Sequence, residues 1–430
     1  MRTTEINRIK PVYRGIAVIF IFVASFVLYS CEDLLNNPDD QHDEYFVEEE
    51  LAIIVAENLL FTEPFSGDTT TVFLTLKDFS IAKKVEEIRS IKDSNGKVAL
   101  YIVNYQDGGF VVLSADKRME PVLAHSEINS FPMDAEFFNL GLLLWIDDFL
   151  AHIENKRQSQ QEPMKIIQEY WTAVVMAPID VEFIALACAN GYIVRKNLLR
   201  TLWDQGCGYN DNVPLNCNEP LRCNKAPVGC VATAMGQILK YHADNGWHGN
   251  YYDEDGVLNL LVGWHNMPLT NAASNPGSHL PAVLKDIGLI VKMNYGCTGS
   301  GARINNTFNG FRNNFKFNNA KRKNLNSNAD YTLLINEIRN NRPVYLQGCD
   351  NRERFGLFNI GIKYTDCHAW VAHGFSQLHN CESGYVAGNY KIHMNWGWGG
   401  FADGSFLKKE GDFQFIRKMI YNVGIQDYAW

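Results

Sequence analysis

Apolar and polar positions recur along the chain in two different periods. Apolar residues at helical spacing predict helices at residues 47–60, 134–153, 231–242, 280–291 and 331–340. Apolar, β-branched and aromatic runs predict strands at residues 98–105, 110–114, 344–346, 369–372 and 390–394. The turn Asp107-Gly108-Gly109 joins the first two strands into a hairpin. Helices and strands that are segregated in this way predict an α+β fold.

The same pattern divides the chain into two α+β units with a leader before them. The first unit spans residues 45–190, and residues 156–163 within it are polar and typical of a linker. The second unit spans residues 191–430, is rich in Gly, Asn and aromatic residues, begins with helices and ends in strands. Residues 1–31 are a predicted signal segment, and residues 32–44 are a predicted solvated tether.

The leader predicts export. Basic residues precede an uninterrupted apolar run at residues 15–28, which is too short for a comfortable membrane span and is typical of a secretory signal. The run is followed by Ser30-Cys31, and a small residue before a cysteine at this place resembles a bacterial lipoprotein signal. Cys31 would then carry a lipid anchor in the cell envelope, at the outer membrane or the cell surface. The alternatives are a soluble secreted protein that is cut nearby and an uncleaved anchor.

Composition narrows the class of protein. The chain has 430 residues, 46% hydrophobic and 20% charged, so it can bury a large core, and its net charge of −9 argues against a nucleic-acid partner. Disulfides can form among its ten cysteines after export. Cys217 with Cys223 and Cys349 with Cys367 are plausible local bridges, although the connectivity does not follow from the sequence. No C-x-x-C or H-E-x-x-H motif is present, and we expect no metal and no other cofactor.

Cys230 is the strongest candidate for chemistry. It stands at the first turn of the helix predicted at residues 231–242, and Pro227-Val228-Gly229 before it cannot easily continue that helix backwards. A thiol at this place meets unpaired backbone N–H groups and the positive end of the helix dipole. Both favour the thiolate, which is the nucleophilic form. The alternative for a lone cysteine is a buried thiol that packs as a small hydrophobe.

A cysteine nucleophile needs a base that takes its proton and later returns it to the leaving amine. His368 is the best-placed histidine, because it opens a strand-like run after a polar loop and can point across a cleft at a helix start. Asn395 and Trp396 directly follow the strand predicted at residues 390–394. An Asn amide oxygen can accept the imidazole N–H, and an indole can cover that bond. The alternative is a tight aromatic–glycine turn that only packs.

Seven segments, in chain order, resemble the streptopain family of secreted, papain-like bacterial cysteine peptidases. Residues 228–242, V-G-C-V-A-T-A-M-G-Q-I-L-K-Y-H, resemble its nucleophile helix, and residues 395–400, N-W-G-W-G-G, resemble its tryptophan motif. The other segments are residues 109–118 (a hairpin of the inhibitory propeptide), 203–206 (the start of the mature enzyme), 296–302 (a glycine loop beside the substrate cleft), 342–348 (an active-site Gln segment) and 368–371 (the catalytic-His strand).

The resemblance implies a zymogen. A papain-like cysteine peptidase domain at residues 191–430 would follow a smaller α+β inhibitory propeptide domain at residues 45–190, with the maturation cut between residues 154 and 198. The implied partners are protein or peptide substrates and the chain's own propeptide in cis.

The resemblance also implies roles for individual residues. Cys230 would be the nucleophile and His368 the general base. The Gln347 amide, with the Cys230 backbone N–H, would hold the oxyanion, and Gln205 is a rival for that role. Trp396 would shield the histidine and Asn395 would orient it. The implied substrate-binding residues are Gly299, Ser300, Gly301 and Trp398.

Two other functions stay open at this point. One is a catalytically silent surface lipoprotein that uses the cleft only to bind peptides. The other is acyl transfer as in transglutaminases, which normally add an Asp where this chain has Asn395. The chain also departs from the family between Gly348 and Cys367, where the loop is longer than usual, and this departure leaves the substrate preference undetermined.

Overall fold

The structure is a computed structural model, and it describes residues 43–64, 71–133, 140–159, 161–182, 191–260, 262–272, 277–349, 353–354, 362–363, 367–379, 390–408 and 416–424. The predicted signal segment with Cys31 and most of the predicted tether lie outside these residues. None of the helices within them is long and apolar enough to cross a membrane. Val47–Trp430 forms one compact unit, and every feature described below lies in it.

Helices and strands alternate irregularly along the described residues. The α-helices are α1 (Glu49–Asn58), α2 (Leu140–Ser159), α3 (Lys165–Met176), α4 (Cys230–Asp244), α5 (Leu280–Ile290), α6 (Ile304–Asn309) and α7 (Asn328–Arg339). The strands are β1 (Leu59–Phe61), β2 (Thr71–Leu74), β3 (Ile81–Ala82), β4 (Val85–Lys92), β5 (Val98–Tyr105), β6 (Phe110–Ser114), β7 (Val122–Ser126), β8 (Ile179–Asp180), β9 (Tyr192–Asn197), β10 (Tyr251–Tyr252), β11 (Leu258–Asn259), β12 (Lys321–Asn324), β13 (Val344–Cys349), β14 (Glu353–Arg354), β15 (Ile362–Lys363), β16 (Cys367–His379), β17 (Tyr390–Asn395), β18 (Gly404–Leu407) and β19 (Ile416–Tyr421).

One antiparallel sheet runs through both predicted units. Its strand order is β12-β19-β13-β16-β17-β18-β7-β6-β5-β4, and β9 pairs with the second half of β16 and, on its other side, with β2. The two units meet where β18 pairs antiparallel with β7, with Ser405 opposite His125 and Phe406 opposite Ala124. Because this pairing continues the backbone ladder, the two units share one sheet. The division at residues 190 and 191 stays a prediction.

The local predictions in the first unit are confirmed for the hairpin. Strands β5 and β6 have the predicted bounds and pair antiparallel, and Gly108 and Gly109 in the turn have φ of +76° and +92°. A side chain at either glycine would be strained in this backbone conformation. The turn is therefore built as the Asp-Gly-Gly sequence indicates.

The prediction of a polar linker from residue 156 is wrong, because α2 continues to Ser159. Arg157 donates hydrogen bonds from Nε to Asp116 Oδ2 and from Nη1 to Asp93 Oδ2, both at 2.9 Å. Ion pairs to the adjacent sheet thus hold a polar stretch in helical form. Helix α3, whose buried face includes Trp171 and Tyr170, has no counterpart among the predicted elements.

In the second unit the helical predictions are confirmed to within three residues at the ends. Helix α4 begins at Cys230, as predicted, and its residues from Cys230 to Ala243 are buried. It packs against β13 and β16 on one side and against α5 on another. Gly236 allows the close approach of α5, because a Cβ there would lie 2.8 Å from Leu284 Cδ2. The helix is therefore fixed between the sheet and a second helix layer.

Candidate active site

Cys230 occupies the place that the sequence predicts, at the N-terminus of a buried helix. Its side chain is 5% exposed and lies outside any disulfide. Gly229 before it has φ of +91°, and a Cβ there would lie 2.9 Å from both Met293 and the Ser300 carbonyl oxygen. Only glycine suits this conformation and this close approach. The chain therefore turns sharply into α4 and leaves the thiol at the helix end.

The predicted glycine loop lies against this turn. Asn294 and Gly301 exchange backbone hydrogen bonds, and the Ser300 hydroxyl accepts one from the Gly296 N–H at 3.4 Å. The Ser300 carbonyl is the group that approaches Gly229. The structure thus brings Gly299, Ser300 and Gly301 beside the residue that precedes Cys230.

Two disulfides cross-link the segment that precedes Cys230. They join Cys207 to Cys223 and Cys217 to Cys297. The predicted local bridge between Cys217 and Cys223 is therefore wrong. The Cys217 N–H donates to the Asn224 carbonyl, whereas the Cys217 sulfur is bonded to Cys297 in the glycine loop. The side chains of Cys349 and Cys367 lie outside the described residues, although their backbones are opposite in the β13–β16 ladder.

His368 lies on β16, 6% exposed, and its ring is held on two sides. Its Nε2 hydrogen-bonds with the Trp396 carbonyl oxygen at 3.2 Å, and its ring stacks on Trp370 with centroids 6.1 Å apart. A carbonyl only accepts, so Nε2 carries the proton and Nδ1 is the basic nitrogen of the neutral ring. Burial lowers the pKa of His368 to about 4, against a smaller opposite effect of the bond to Trp396. The imidazole is therefore neutral at pH 7 in this structure.

Asn395 is near this histidine but does not orient it in the predicted way. Its Oδ1 accepts hydrogen bonds from Gln237 Nε2 at 2.8 Å and from the Gly397 N–H at 3.0 Å, and its Nδ2 donates to the Thr201 carbonyl. The amide oxygen is thus engaged by other donors, while the His368 N–H goes to a backbone carbonyl. Asn395 instead fixes the peptide group between Trp396 and Gly397 whose carbonyl receives that N–H.

The cysteine side and the histidine side of the site meet at the segment 395–397. A Cβ on Gly397 would lie 3.1 Å from Thr233 Cγ2, one helical turn beyond Cys230. On the sheet side, burial and then the charge of Cys230 raise the pKa of Tyr345 well above its usual range. Tyr345 is on β13, three residues before Gly348, which pairs with His368. Cys230 and His368 are thus attached to neighbouring elements around one short segment.

The two glutamines proposed for the oxyanion have different surroundings. Gln347 is 3% exposed, and both ends of its amide are engaged, since Oε1 accepts from the Tyr345 hydroxyl and Nε2 donates to the Ala302 carbonyl. Gln205 is partly exposed. Its carbonyl accepts from the Val228 N–H, two residues before the nucleophile, and its Nε2 donates to the Gly397 carbonyl at 3.3 Å. Gln205 therefore bridges the cysteine side and the tryptophan loop, whereas Gln347 faces inward.

Trp396 is fully buried, and Trp398 two residues later is half-buried at the start of the glycine turn. Trp396 Nε1 donates to the Ala402 carbonyl at 3.0 Å, and its ring is 5.5 Å from that of Trp370, centroid to centroid. The Trp370 ring is the one that stacks on His368. The predicted shielding indole is thus part of a continuous aromatic layer behind the histidine.

The first unit closes over this layer through α2. A Cβ on Gly141 would lie 2.7 Å from a Trp396 ring carbon and 3.0 Å from one of Trp370. One turn later, Leu144 Cδ1 would lie 2.6 Å from a Cβ on Gly348, the residue paired with His368. Small residues on both sides permit this contact. Helix α2 therefore packs directly on the elements that carry the predicted catalytic histidine.

Two polar residues of the site were not predicted. Gln237 is fully buried in α4 and joins Asn395 to the Trp203 backbone, which donates to its Oε1 at 3.4 Å. Asp403 is buried and accepts a hydrogen bond from the Trp396 N–H at 2.7 Å. A glutamine seven residues after Cys230, on the same face of the helix and between apolar residues, was the available signal for the first. The sequence carried no signal for the second beyond an acidic residue in a glycine turn.

Comparison with known sequences identifies two family profiles in the chain. The profile of the peptidase C10 family matches residues 203–406, and the profile of the Spi protease inhibitor matches residues 45–153. The first match contains α4, the β13–β16 pair and the tryptophan loop, and the second contains β4 to β7 and most of α2. The two profiles together therefore span both units joined by the sheet.

Similar proteins include two named peptidases and one solved precursor. Streptopain of Streptococcus pyogenes is 24% identical over 397 residues, 82% of this chain and 86% of that protein. The thiol protease/hemagglutinin PrtT of Porphyromonas gingivalis is 25% identical over 319 residues, 69% of this chain but 32% of that protein. A prointerpain A fragment of Prevotella intermedia is 22% identical with a TM-score of 0.52, over 79% of this chain and 99% of the fragment. The likeness to the fragment shows that the two chains share a fold.

Proposed function

Because this chain is a cysteine peptidase of the C10 (streptopain) family that carries a Spi-type inhibitor domain before its peptidase domain, we propose that it is an exported endopeptidase precursor that matures by its own activity. It would hydrolyse peptide bonds in protein or peptide substrates through Cys230 and His368. The observation that carries the proposal is that a thiol lies at the N-terminus of α4, while the strand on which α4 packs carries a histidine whose Nε2 proton is committed to a carbonyl.

The state of His368 sets the order of proton transfers. With Nε2–H donated to Trp396, Nδ1 takes the thiol proton of Cys230 and leaves a thiolate at the positive end of the helix dipole. The thiolate attacks the scissile carbonyl carbon, and the imidazolium then gives its proton to the leaving amine. Water, activated by the same nitrogen, hydrolyses the resulting thioester and restores the thiol. The bond to the Trp396 carbonyl keeps the ring in one tautomer throughout.

The negative oxygen of the tetrahedral intermediate needs donors beside the nucleophile. The backbone N–H of Cys230 lies at the start of α4, where helical N–H groups have no partner within the helix. We assign the second donor to Gln205 instead of Gln347, because the Gln205 backbone carbonyl is bonded to the Val228 N–H beside Cys230 and its side-chain amide donates to the Gly397 carbonyl. Its present partner, the Gly397 carbonyl, can be exchanged for substrate. Such a donor lowers the activation barrier by about 3 kcal/mol.

Substrate would lie along the glycine loop and the tryptophan turn. Gly299, Ser300 and Gly301 offer backbone groups next to Gly229, and half-buried Trp398 offers an apolar surface in the tryptophan turn. The Cys217–Cys297 disulfide ties the glycine loop to the segment ahead of Cys230. This arrangement suits an extended peptide that is held mainly through its backbone.

The precursor would be inactive because α2 excludes water from His368. Packing of Gly141 and Leu144 on Trp396 and Gly348 closes the space around His368, and burial is the largest cause of its lowered pKa. A neutral imidazole cannot stabilise a thiolate as an ion pair. Removal of the inhibitor domain would readmit water and restore the imidazolium.

Export and anchoring are parts of the proposal that rest on the leader alone. Positively charged residues, the apolar run at residues 15–28 and Ser30-Cys31 support secretion with a lipid on Cys31. Labelling cells with an alkyne-tagged fatty acid tests the anchor, with Cys31→Ala as the matched variant. Label on the parent protein and none on the variant is expected, and equal labelling would contradict the anchor.

The activity is tested by comparing residues 32–430 with the same chain carrying Cys230→Ala. We expect the parent to convert itself to a shorter mature form, to cleave casein and to be inactivated by an epoxide-type thiol reagent. The Cys230→Ala chain should persist as precursor and cleave nothing. Equal processing of both chains, or a parent that neither cleaves casein nor takes up the reagent, would contradict the proposal.

The oxyanion assignment is tested by two matched substitutions. Gln205→Ala should lower kcat of the mature enzyme by roughly 100-fold or more with little change in KM. Gln347→Ala removes a buried amide that is bonded to other groups, so its main effect should be on stability. A larger loss of kcat in Gln347→Ala than in Gln205→Ala would reverse the assignment.

A further inference from the structure

Asp403 lies beside the site, and the mechanism above gives it no role. It is 4% exposed, in the turn between Trp396 and β18. Its Oδ1 accepts the Trp396 N–H at 2.7 Å, and its Oδ2 has no hydrogen-bond partner among the residues that the structure describes. Buried carboxyl oxygens usually have a hydrogen-bond partner, so the Oδ2 atom of Asp403 needs an explanation.

The residue that Asp403 holds is the one that holds the histidine. Trp396 gives its N–H to Asp403 and receives the His368 Nε2–H at its carbonyl. The next backbone N–H, of Gly397, is held by Asn395. The carbonyl that fixes His368 is thus placed by two side-chain acceptors, one on each side of it along the backbone.

We propose that Asp403 is a positioning residue for His368, which acts by holding the Trp396 backbone so that its carbonyl receives the imidazole N–H. The proposal rests on the proposed function, in which His368 is the general base. Asn395 and Asp403 differ in one respect, because the Asn395 amide is always neutral, whereas the Asp403 carboxyl can carry a negative charge where it holds the Trp396 backbone.

The charge on Asp403 depends on the first unit. Burial raises the pKa of Asp403 to about 8, and the bond from Trp396 only partly offsets this effect. The carboxyl is therefore neutral at pH 7 in the precursor. It lines a cavity of about 670 Å³ together with Ser126, Glu127 and Asn129 of the first unit. Loss of those residues on maturation would admit water, favour the carboxylate and so stabilise an imidazolium at His368.

Other titratable and charged groups line the same cavity. The basic ones are Arg195, Arg200, Lys240, His373 and His393, and the acidic ones are Glu127 and Asp244. Glu127 would leave with the first unit, and all of these groups are the same in the variants that are compared below. A difference between Asp403 and Asn at this position therefore isolates the charge of Asp403.

The first test needs no catalysis and uses the full chain with Cys230→Ala, labelled with ¹⁵N-histidine. The His368 signals are assigned by comparison with His368→Ala. We expect the Nε2–H tautomer in the parent, its retention in Asp403→Asn, which keeps an acceptor, and a shift towards mixed tautomers in Asp403→Ala. Asp330→Ala is the control, because Asp330 is equally buried and accepts backbone N–H groups far from the site. An unchanged His368 signal in Asp403→Ala would overturn the proposal, whether or not the protein cleaves peptides.

The second test uses mature enzyme, with each variant processed by a trace of wild type and Cys230→Ala measuring the background. Asp403→Ala should lower kcat about tenfold or more with KM within about twofold of wild type. In Asp403→Asn the alkaline limb of the kcat/KM profile should move down by about half a pH unit or more, since no carboxylate supports the imidazolium. If Asp403→Ala does not fold, the position of the alkaline limb of the kcat/KM profile in Asp403→Asn decides the test alone. Variants that match Asp330→Ala, with the limb unmoved, would overturn the proposal.

Discussion

Besides the β7–β18 and β2–β9 strand pairings, two sets of side-chain contacts, here called seams, join the first unit to the peptidase unit, and they differ in chemistry. At the apolar seam, Gly141 and Leu144 of α2 pack on Trp396, Trp370 and Gly348. At the ionic seam, carboxylates of the first unit meet cations of β9 and β17. The ion pairs are Arg195 with Glu127 at 2.7 Å, Arg195 with Glu182 at 3.1 Å and Lys391 with Glu182 at 3.0 Å.

The two seams are expected to have different roles: the apolar seam blocks the site, and the ionic seam holds the two units together. The apolar seam lies on the strands and indoles around His368, and it depends on shape, because glycines on both sides allow the contact. The ionic seam lies away from Cys230 and depends on complete pairing, since Arg195 and Glu182 are 3% and 8% exposed. Desolvated charges cost several kcal/mol when one partner is removed. The first seam should therefore control activity, and the second should control stability and its response to pH.

The largest effect is expected from breaking the ionic seam with Glu182→Gln in the Cys230→Ala chain. Glu182 is the shared partner of Arg195 and Lys391, so its loss leaves buried cations underpaired. We expect the free energy of unfolding to fall by about 3–5 kcal/mol, measured by denaturant titration. Glu57→Gln is the control, because Glu57 pairs with Lys84 at the surface and should cost less than about 1 kcal/mol. Equal effects of the two substitutions would remove the distinction between a buried seam and a surface pair.

The apolar seam is tested by Gly141→Leu. The larger side chain would clash with the Trp396 and Trp370 rings, and overpacking of this kind costs about 1–3 kcal/mol. Because the clash lifts α2 from the site, the full-length chain should process itself faster than wild type. Asn155→Leu adds the same side chain at an exposed position of α2 and should leave the rate unchanged. Slower processing in Gly141→Leu would show that α2 does not block the site.

The smallest effect concerns the pH response of the ionic seam. Burial is the main reason that the pKa of His125 is lowered to about 4, below its usual value near 6.5. Between these values the unfolded chain takes up a proton that the folded chain does not, so stability falls as the pH falls. His125→Gln in the Cys230→Ala chain should therefore lose roughly 1–2 kcal/mol less than its parent between pH 7 and pH 5.

The control for the pH response is His265→Gln, because the His265 side chain is 73% exposed. Asp403 and the other buried histidines are present in every variant, so they cancel in the comparison. A pH dependence in His125→Gln that equals that of the parent would contradict a neutral, buried His125 at this seam.

The sequence predicted the parts of this molecule that depend on neighbours along the chain. The start of α4 at Cys230 follows from the preceding glycine and proline, and the β5–β6 hairpin follows from its turn. The contacts between the two units were not predicted, because they join residues that are far apart in the sequence; the pairing of β7 with β18, for example, leaves no mark on either strand's own sequence. The C-terminal end of α2 was missed for a related reason. Its residue Arg157 is held by Asp93 and Asp116, which lie far from it in the sequence.

The candidate site was predicted to a similar degree. The choice of Cys230 and His368 as candidates follows from residue type and local context, and the structure brings α4 and β16, which carry them, together. The partners of the base depend on backbone groups, which leave no mark in the sequence. The Trp396 carbonyl receives the histidine proton, whereas Asn395 was expected to receive it. The choice between Gln205 and Gln347 likewise depends on which amide is already engaged.

The most direct test of the central claim is the rate of alkylation of Cys230 by iodoacetamide as a function of pH in the mature enzyme. If Cys230 and His368 form a thiolate–imidazolium pair, the rate should stay high down to about pH 5, far below the ordinary thiol pKa of about 8.5. In His368→Ala the rate should fall about tenfold for each pH unit below that value. A wild-type rate that already falls in this way would show that the two residues do not share a proton.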